Sequence, residues 1–151
     1  MTSWNVDEVL RLLNEAARIA LHYFDSPTRE FKKDRSIVTE ADREIEEMLG
    51  TEFDRPREGT YLIGEETVET KDETYIQAAL KGSTWIIDPI DGTSSYANHL
   101  LSWGISIAYA EKGKITEGAI YLPVAGKLLI LSLIHISEPT RLLSISYAVF
   151  C

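Results

Sequence analysis

The stretch Trp85-Ile86-Ile87-Asp88-Pro89-Ile90-Asp91-Gly92-Thr93 constrains this chain more than any other. Trp85 to Ile87 is an apolar run that reads as a buried strand. Asp88 stands where the run ends. Pro89 has no N–H to give to a ladder and is expected to stop the strand there. Asp91 follows three residues after Asp88, and Gly92-Thr93 then turn the chain, toward a short helix. Two carboxylates and a carbonyl are therefore expected at the open end of a strand, with free backbone N–H groups just beyond. Oxygen donors suit a hard cation such as Mg²⁺, and N–H groups at a helix start suit a phosphate. A cation beside a phosphate is the setting of metal-assisted phosphoryl chemistry. The plainer alternative is a capped strand end with solvated acids, since Asp-Pro and Asp-Gly are common in turns.

The rest of the chain reads as helices followed by strands. Apolar residues at helical spacing from Val9 to Tyr23 predict a helix over Val6–Phe24, ended by Asp25-Ser26-Pro27. Residues 28–37 are polar and charged and read as a mobile loop. Thr39 is an N-cap candidate, with Asp42 in the next turn and Ile45, Met48, Leu49 and Phe53 as the core stripe. Residues 54–59, with Pro56 and Gly59, form a turn. Thr60–Ile63 reads as a short strand ending at Gly64-Glu65-Glu66, and Lys71–Leu80 as a helix or an ordered loop. Trp103–Glu111 is a strand, Lys112-Gly113-Lys114 a hairpin turn, and Ile115–Leu122 and Lys127–Ile130 continue an antiparallel meander. This order predicts an α+β fold with helices packed on a mostly antiparallel sheet.

With 151 residues the chain has room for one domain. Its net charge of −9 argues against nucleic acid and anionic membranes as main partners. No apolar run approaches the roughly 20 residues a membrane helix needs, and the N-terminal residues lack the pattern of a signal peptide. The lone cysteine, Cys151, fits a reducing cytoplasm.

Asp88-Pro89-Ile90-Asp91-Gly92-Thr93 resembles the signature of the inositol monophosphatase-like, Mg²⁺-dependent, lithium-sensitive phosphatases. Val38-Thr39-Glu40-Ala41-Asp42 and Gly64-Glu65-Glu66 match two further motifs of that family in the family's order. The resemblance implies the N-terminal half of a layered αβαβα fold. It implies a phosphomonoesterase for a small phosphorylated metabolite, inositol monophosphate or a sugar phosphate. Rival substrates within the family are a 3′(2′),5′-bisphosphate nucleotide, fructose 1,6-bisphosphate and histidinol phosphate. A non-catalytic cation-binding or interaction module is the alternative of another class. The full-length protein is expected to be a homodimer.

The resemblance also implies residue roles. Glu65, Asp88, Asp91 and the Ile90 carbonyl would hold Mg²⁺, Asp88 between two ions. Asp42 and Thr93 would activate a water, with Glu65 counted among the catalytic groups. Ile90, Asp91, Gly92 and Thr93 would meet the substrate, Gly92 and Thr93 through backbone N–H groups. Helix dipole and capping account equally for Asp42 and Thr93. Glu66 points elsewhere if its segment is extended. Lys32, with Lys33 as rival, matches a mobile-loop lysine. His22 reads as a packing or surface residue and Trp103 as core; His99 follows the signature within reach of a substrate, though a lone histidine is more often structural. Ser95-Tyr96 stands where the family commonly has Asn-Phe, which bears on the substrate.

Residues 131–151 read differently. Leu131–Arg141 resembles a translated transposase sequencing adapter, and Ile145–Cys151 the flow-cell primer that follows it. One more helix or strand is the alternative. Residues 1–130 are then the N-terminal portion of a truncated domain, and 131–151 a non-native tail. Family members carry a further aspartate ligand in their C-terminal half, usually in a Trp-Asp motif absent here. The fragment is expected to be inactive, with open sheet edges.

Overall fold

The computed structural model describes residues 3–33, 36–133 and 146–149. Helix α1 (Val6–Phe24) opens at Asn5, whose side-chain oxygen accepts the Glu8 N–H at 3.1 Å. Asp7 and Glu8 occupy its first turn, where the helix dipole favours acids. Val9, Leu12, Leu13, Ala16, Ala17 and Ala20 recur at helical spacing and are buried. Two short strands, β1 (Glu30–Phe31) and β2 (Ile37–Val38), pair antiparallel. Helix α2 (Glu40–Phe53) begins with a reciprocal cap: Thr39 N–H donates to Asp42 Oδ2 at 2.7 Å and Asp42 N–H to Thr39 Oγ1 at 3.4 Å. Its apolar stripe packs on α1 and on the sheet. No helix among the described residues is long and apolar enough to cross a membrane.

The remaining elements are β3 (Thr60–Gly64), α3 (Glu73–Lys81), β4 (Ser83–Asp91), α4 (Thr93–Ala97), β5 (Gly104–Glu111), β6 (Lys114–Leu122), β7 (Lys127–Ser132) and β8 (Ser146–Val149). The strands form one six-stranded sheet in the order β3-β4-β5-β6-β7-β8. β3 and β4 are parallel, joined by a crossover through a 3₁₀ turn at Val68–Thr70 and α3; every other pairing in this sheet is antiparallel. The α+β class with a mostly antiparallel sheet is as expected. β5 and β6 join through Lys112 and Gly113, both at positive φ (51° and 75°), the backbone of a primed hairpin turn. The edge strand β3 is blunted by Tyr75, whose hydroxyl accepts the Leu62 N–H at 2.8 Å and donates to Asp54 Oδ1 at 2.6 Å.

Trp85 lies at the centre of the core. It is 0% exposed, stacks on Phe53 at 4.0 Å with the rings 9° from parallel, and meets Tyr109 at 4.8 Å and Trp4 at 5.7 Å. Burying a side chain of this kind stabilises by about 1.5–3 kcal/mol. A second cluster, Phe24, Tyr96 and Trp103, joins α1 to α4, and the buried Tyr96 hydroxyl donates to the Ala20 carbonyl at 2.6 Å.

Three expectations need correction. Pro89 does not end its strand: β4 continues to Asp91 through a bulge, with Asp88 opposite Ser106 and Asp91 opposite Gly104. A bulge leaves one residue out of the ladder, so the missing N–H costs no hydrogen bond. Residues 28–37 are not a plain loop, because they hold β1 and the first residue of β2. Arg43 grips Glu30 at 2.8 and 2.5 Å, Thr28 donates to Glu40 at 2.7 Å, and the Arg29 guanidinium donates to the Ala97 carbonyl. Finally, β7 is not an open edge along Lys127–Ile130, because the backbone of residues 146–149 pairs with it. Residues 134–145 and 150–151 of the suspected tail lie outside the described residues.

Candidate active site

Regular strand alternation would put residues three apart on opposite faces. Along β4 the faces alternate from Trp85 to Asp88: Trp85 and Ile87 are buried in the core cluster, while Ile86 and Asp88 are half-buried on the other face. The bulge then places two residues, Pro89 and Ile90, opposite Ile105 alone. Ile90 returns to the core, fully buried, and Asp91 rejoins Asp88 on its side of the sheet. The spacing of the Asp-Pro-Ile-Asp motif thus works only because the strand is bulged.

Glu65 arrives from the neighbouring strand. Gly64 is paired with Ile87 in the parallel register, so the next residue of each strand is Glu65 and Asp88. The consequence is electrostatic. Burial, then the charges of Glu65 and Asp91, hold the Asp88 carboxyl proton up to about 7, against an ordinary value of 3.8. Asp88 Oδ1 is buried and has no hydrogen-bond partner. A buried carboxylate oxygen without a donor is costly unless a cation takes its place. Glu65, Asp91 and the Ile90 carbonyl around it supply further hard oxygen donors, so this donor set fits Mg²⁺. Among the described residues, no group of three His, Cys, Asp or Glu side chains is already gathered in ion-holding geometry. Glu65 is exposed, and Lys32 Nζ stands 3.5 Å from it and 2.8 Å from Glu66. Three carboxylates repel unless a cation or a proton is shared among them, and Lys32 pairs with Glu65.

Asp42 comes to the same place from α2. It is 1% exposed, and burial raises its pKa above the usual range against the hydrogen bonds from Thr39 and Thr93. Its Oδ2 accepts the Thr39 N–H and hydroxyl, at 2.7 and 2.6 Å, while Oδ1 faces the Thr93 hydroxyl at 3.3 Å. The capping role and the pairing with Thr93 therefore coexist, one on each oxygen. Thr93 Oγ1 also lies 2.9 Å from the Ile90 carbonyl. One hydroxyl proton serves one acceptor at a time, so a cation that occupied the Ile90 carbonyl would free that proton for Asp42. Gly92 sets up the turn. Its φ is +90°, and a Cβ there would meet the Ser102 carbonyl at 3.1 Å, so glycine is required. The N–H groups of the first helical turn, from Thr93 onward, have no partner within α4.

The other candidates sort plainly. Lys32, not Lys33, reaches the acids; Lys33 is exposed. Glu66 belongs to the group rather than pointing away: burial raises its pKa despite the Lys32 ammonium beside it. Tyr96 is fully buried in the core. Trp103 is core as expected, and His22 and His99 are exposed, His99 against Phe24. A cleft of about 760 Å³ between α2 and the segment after β3 touches the carboxylate group only through Lys32, Glu65 and Glu66. Sequence reasoning missed Glu46, which is 2% exposed and accepts the N–H groups of Glu66 and Thr67 at 2.9 and 2.8 Å. Its only sequence signal is helical spacing: it lies four residues after Asp42, on the same face.

Comparison with known proteins bears on this arrangement. A histidinol-phosphatase of Chlorobaculum parvum is 36% identical over 123 residues, covering 79% of this chain and 44% of that protein. The Thermotoga maritima IMPase structure superposes with a TM-score of 0.73 at 25% identity, over 94% of this chain and 50% of that one. An IMPase/NADP phosphatase structure complexed with Mg²⁺ and phosphate shares the fold, with a TM-score of 0.66 at 23% identity over 85% and 48% of the two chains. The chain spans about half the length of the curated relatives it matches. The inositol monophosphatase family model matches residues 5–133, a span that takes in the capped α2, the exit of β3 and the bulged end of β4 alike. The chain belongs to the inositol monophosphatase family.

Proposed function

We propose that the complete protein is a Mg²⁺-dependent phosphomonoesterase acting on a small phosphorylated metabolite, inositol monophosphate or a sugar phosphate. The observation that carries this is the orphaned Asp88 Oδ1, flanked by Glu65 and Asp91, with the Thr93–Asp42 pair alongside. Glu65, Asp88, Asp91 and the Ile90 carbonyl would hold Mg²⁺. Bound there, the ion would make water a better nucleophile and offset phosphate charge. Thr93 Oγ1 orients the attacking water and takes up its proton, passing its own proton to Asp42 Oδ1. Burial lifts the Asp42 pKa, which suits it to accept. A water–phosphorus bond forms as the ester P–O bond breaks, and the leaving alkoxide takes a proton from solvent, giving inorganic phosphate and an alcohol. Backbone N–H groups at Gly92 and Thr93 would meet the phosphate oxygens. The relative named histidinol-phosphatase keeps histidinol phosphate among the candidate substrates.

The test is phosphate release by the completed protein from inositol 1-phosphate, fructose 1,6-bisphosphate, histidinol phosphate and 3′-phosphoadenosine 5′-phosphate, with Mg²⁺ and with EDTA. Release from at least one substrate, lost with EDTA, is expected. No release from any, with Mg²⁺ bound, would favour the cation-binding module. The reading includes a homodimer and a cytoplasmic location, supported by family resemblance and by the lone cysteine. Light scattering and cell fractionation test these. Residues 131–151 are taken as non-native, which the end of the family match at residue 133 supports; the encoding DNA tests this.

A further inference from the structure

We propose that Glu46 is the positioning residue for the Glu65 ligand, holding the exit of β3 around its own carboxylate. The inference rests on the metal reading above. Three contacts converge on this side chain. Glu66 N–H donates to Oε2 at 2.9 Å and Thr67 N–H to Oε1 at 2.8 Å. Gly64 lies flat against the carboxylate: a Cβ there would meet Oε2 at 2.7 Å and overlap Oε1 and Cδ more closely still. The chain therefore leaves β3 by wrapping Gly64, Glu66 and Thr67 around one buried acid, with Glu65 inside the wrap. Glu65 makes no such anchor of its own, since it is exposed and leans on Lys32.

The geometry has a consequence for binding. A ligand on a segment without internal support must be ordered when the ion arrives, and that ordering costs affinity. Fixing the peptide on both sides of Glu65 removes most of the cost. Glu46 lies four residues after Asp42 on α2, so one helix face supports both the β3 exit and the Thr93 hydroxyl. Supporting residues of this kind are typically worth about 10- to 100-fold in metal affinity. The role also explains why Gly64 precedes Glu65: any side chain at 64 would displace the brace.

The test uses the full chain and Mn²⁺ alone, titrated by loss of the free-ion electron paramagnetic resonance signal. Glu46→Gln keeps the shape but turns an NH₂ toward one of the two N–H donors. It should weaken Mn²⁺ binding about 10- to 100-fold, at a temperature well below its melting point, and shift the Glu66 and Thr67 amide resonances. Glu47→Gln removes the same charge one residue along, from an exposed position, and should leave the affinity unchanged. Gly64→Ala should reproduce the Glu46→Gln loss, and the double variant should bind no worse than either single one, because both remove the same brace. If Glu46→Gln does not fold, Glu46→Asp and Gly64→Ala carry the measurement. A wild-type chain that binds Mn²⁺ and a folded Glu46→Gln that binds it equally well would overturn the inference alone. A lower melting point with unchanged affinity would do the same. A wild-type chain that binds no Mn²⁺ would overturn the metal reading, and this inference with it.

Discussion

Replacing Asp88 with asparagine should stabilise the metal-free protein, which is unusual for a residue at the heart of a site. The Asp88 carboxyl is held at about 7 by burial and by the charges of Glu65 and Asp91, against 3.8 ordinarily. For an acid with a raised folded pKa, the native state keeps a proton that the unfolded chain releases. Stability therefore falls as pH rises from about 4 to about 7, and stays low above that. A shift of about three units corresponds to about 4 kcal/mol. Asp88 is only half-buried, so solvent screening reduces this to about 2 kcal/mol. In EDTA, urea unfolding of Asp88→Asn should thus show a gain of about 2 kcal/mol at pH 8 and almost none at pH 4. Saturating Mg²⁺ should reverse the ranking, since an ion at 100 times its Kd stabilises the wild type by about 2.7 kcal/mol. The reasoning fails if Asp88→Asn is less stable than wild type at pH 8 without metal, or if its gain is the same at both pH values.

Other substitutions probe the surrounding structure. Phe53→Ala removes the ring stacked at 4.0 Å on Trp85 and should cost about 3–5 kcal/mol in urea unfolding. Gly92→Ala forces a side chain into a φ of +90° beside the Ser102 carbonyl, and should lose more than about 1 kcal/mol by the same measurement. In the completed protein, Thr93→Ala should lower kcat by about 10²- to 10⁴-fold while substrate KM changes little, read by steady-state phosphate release.

α1 and α2 were readable because their signals are local, whereas those of α3 fit a helix or an ordered loop alike. Spacing and Pro27 give Val6–Phe24 with the observed ends, and Thr39-x-x-Asp42 announces its own cap. The ligand candidates were readable because their motifs are short and consecutive. The bulge at Pro89 was not, since proline at a strand end and proline inside a bulge leave the same mark on a sequence. β1 and β2 were hidden by their brevity and polar neighbours; their segment is anchored by Glu40 and Arg43 on α2 and by the Ala97 carbonyl, and only Ala97 is distant in sequence. Glu46 reads as one acid among several on a charged helix. Only the path of β3, set by pairing with β4, turns it into a buried acceptor.

β5 meets β6, and β6 meets β7, through tight turns, whereas β3 reaches β4 only after a crossover through α3. Closing the longer loop comes at a greater entropic cost, so the meander is expected to assemble first and β3 to dock late. The last acid to arrive is then Glu65, and the first to leave when the native state breathes. A cation shared between Glu65 and Asp88 would act as a rivet through the seam where the sheet opens most easily. Amide exchange in β3 should therefore slow on Mg²⁺ addition far more than exchange in β5.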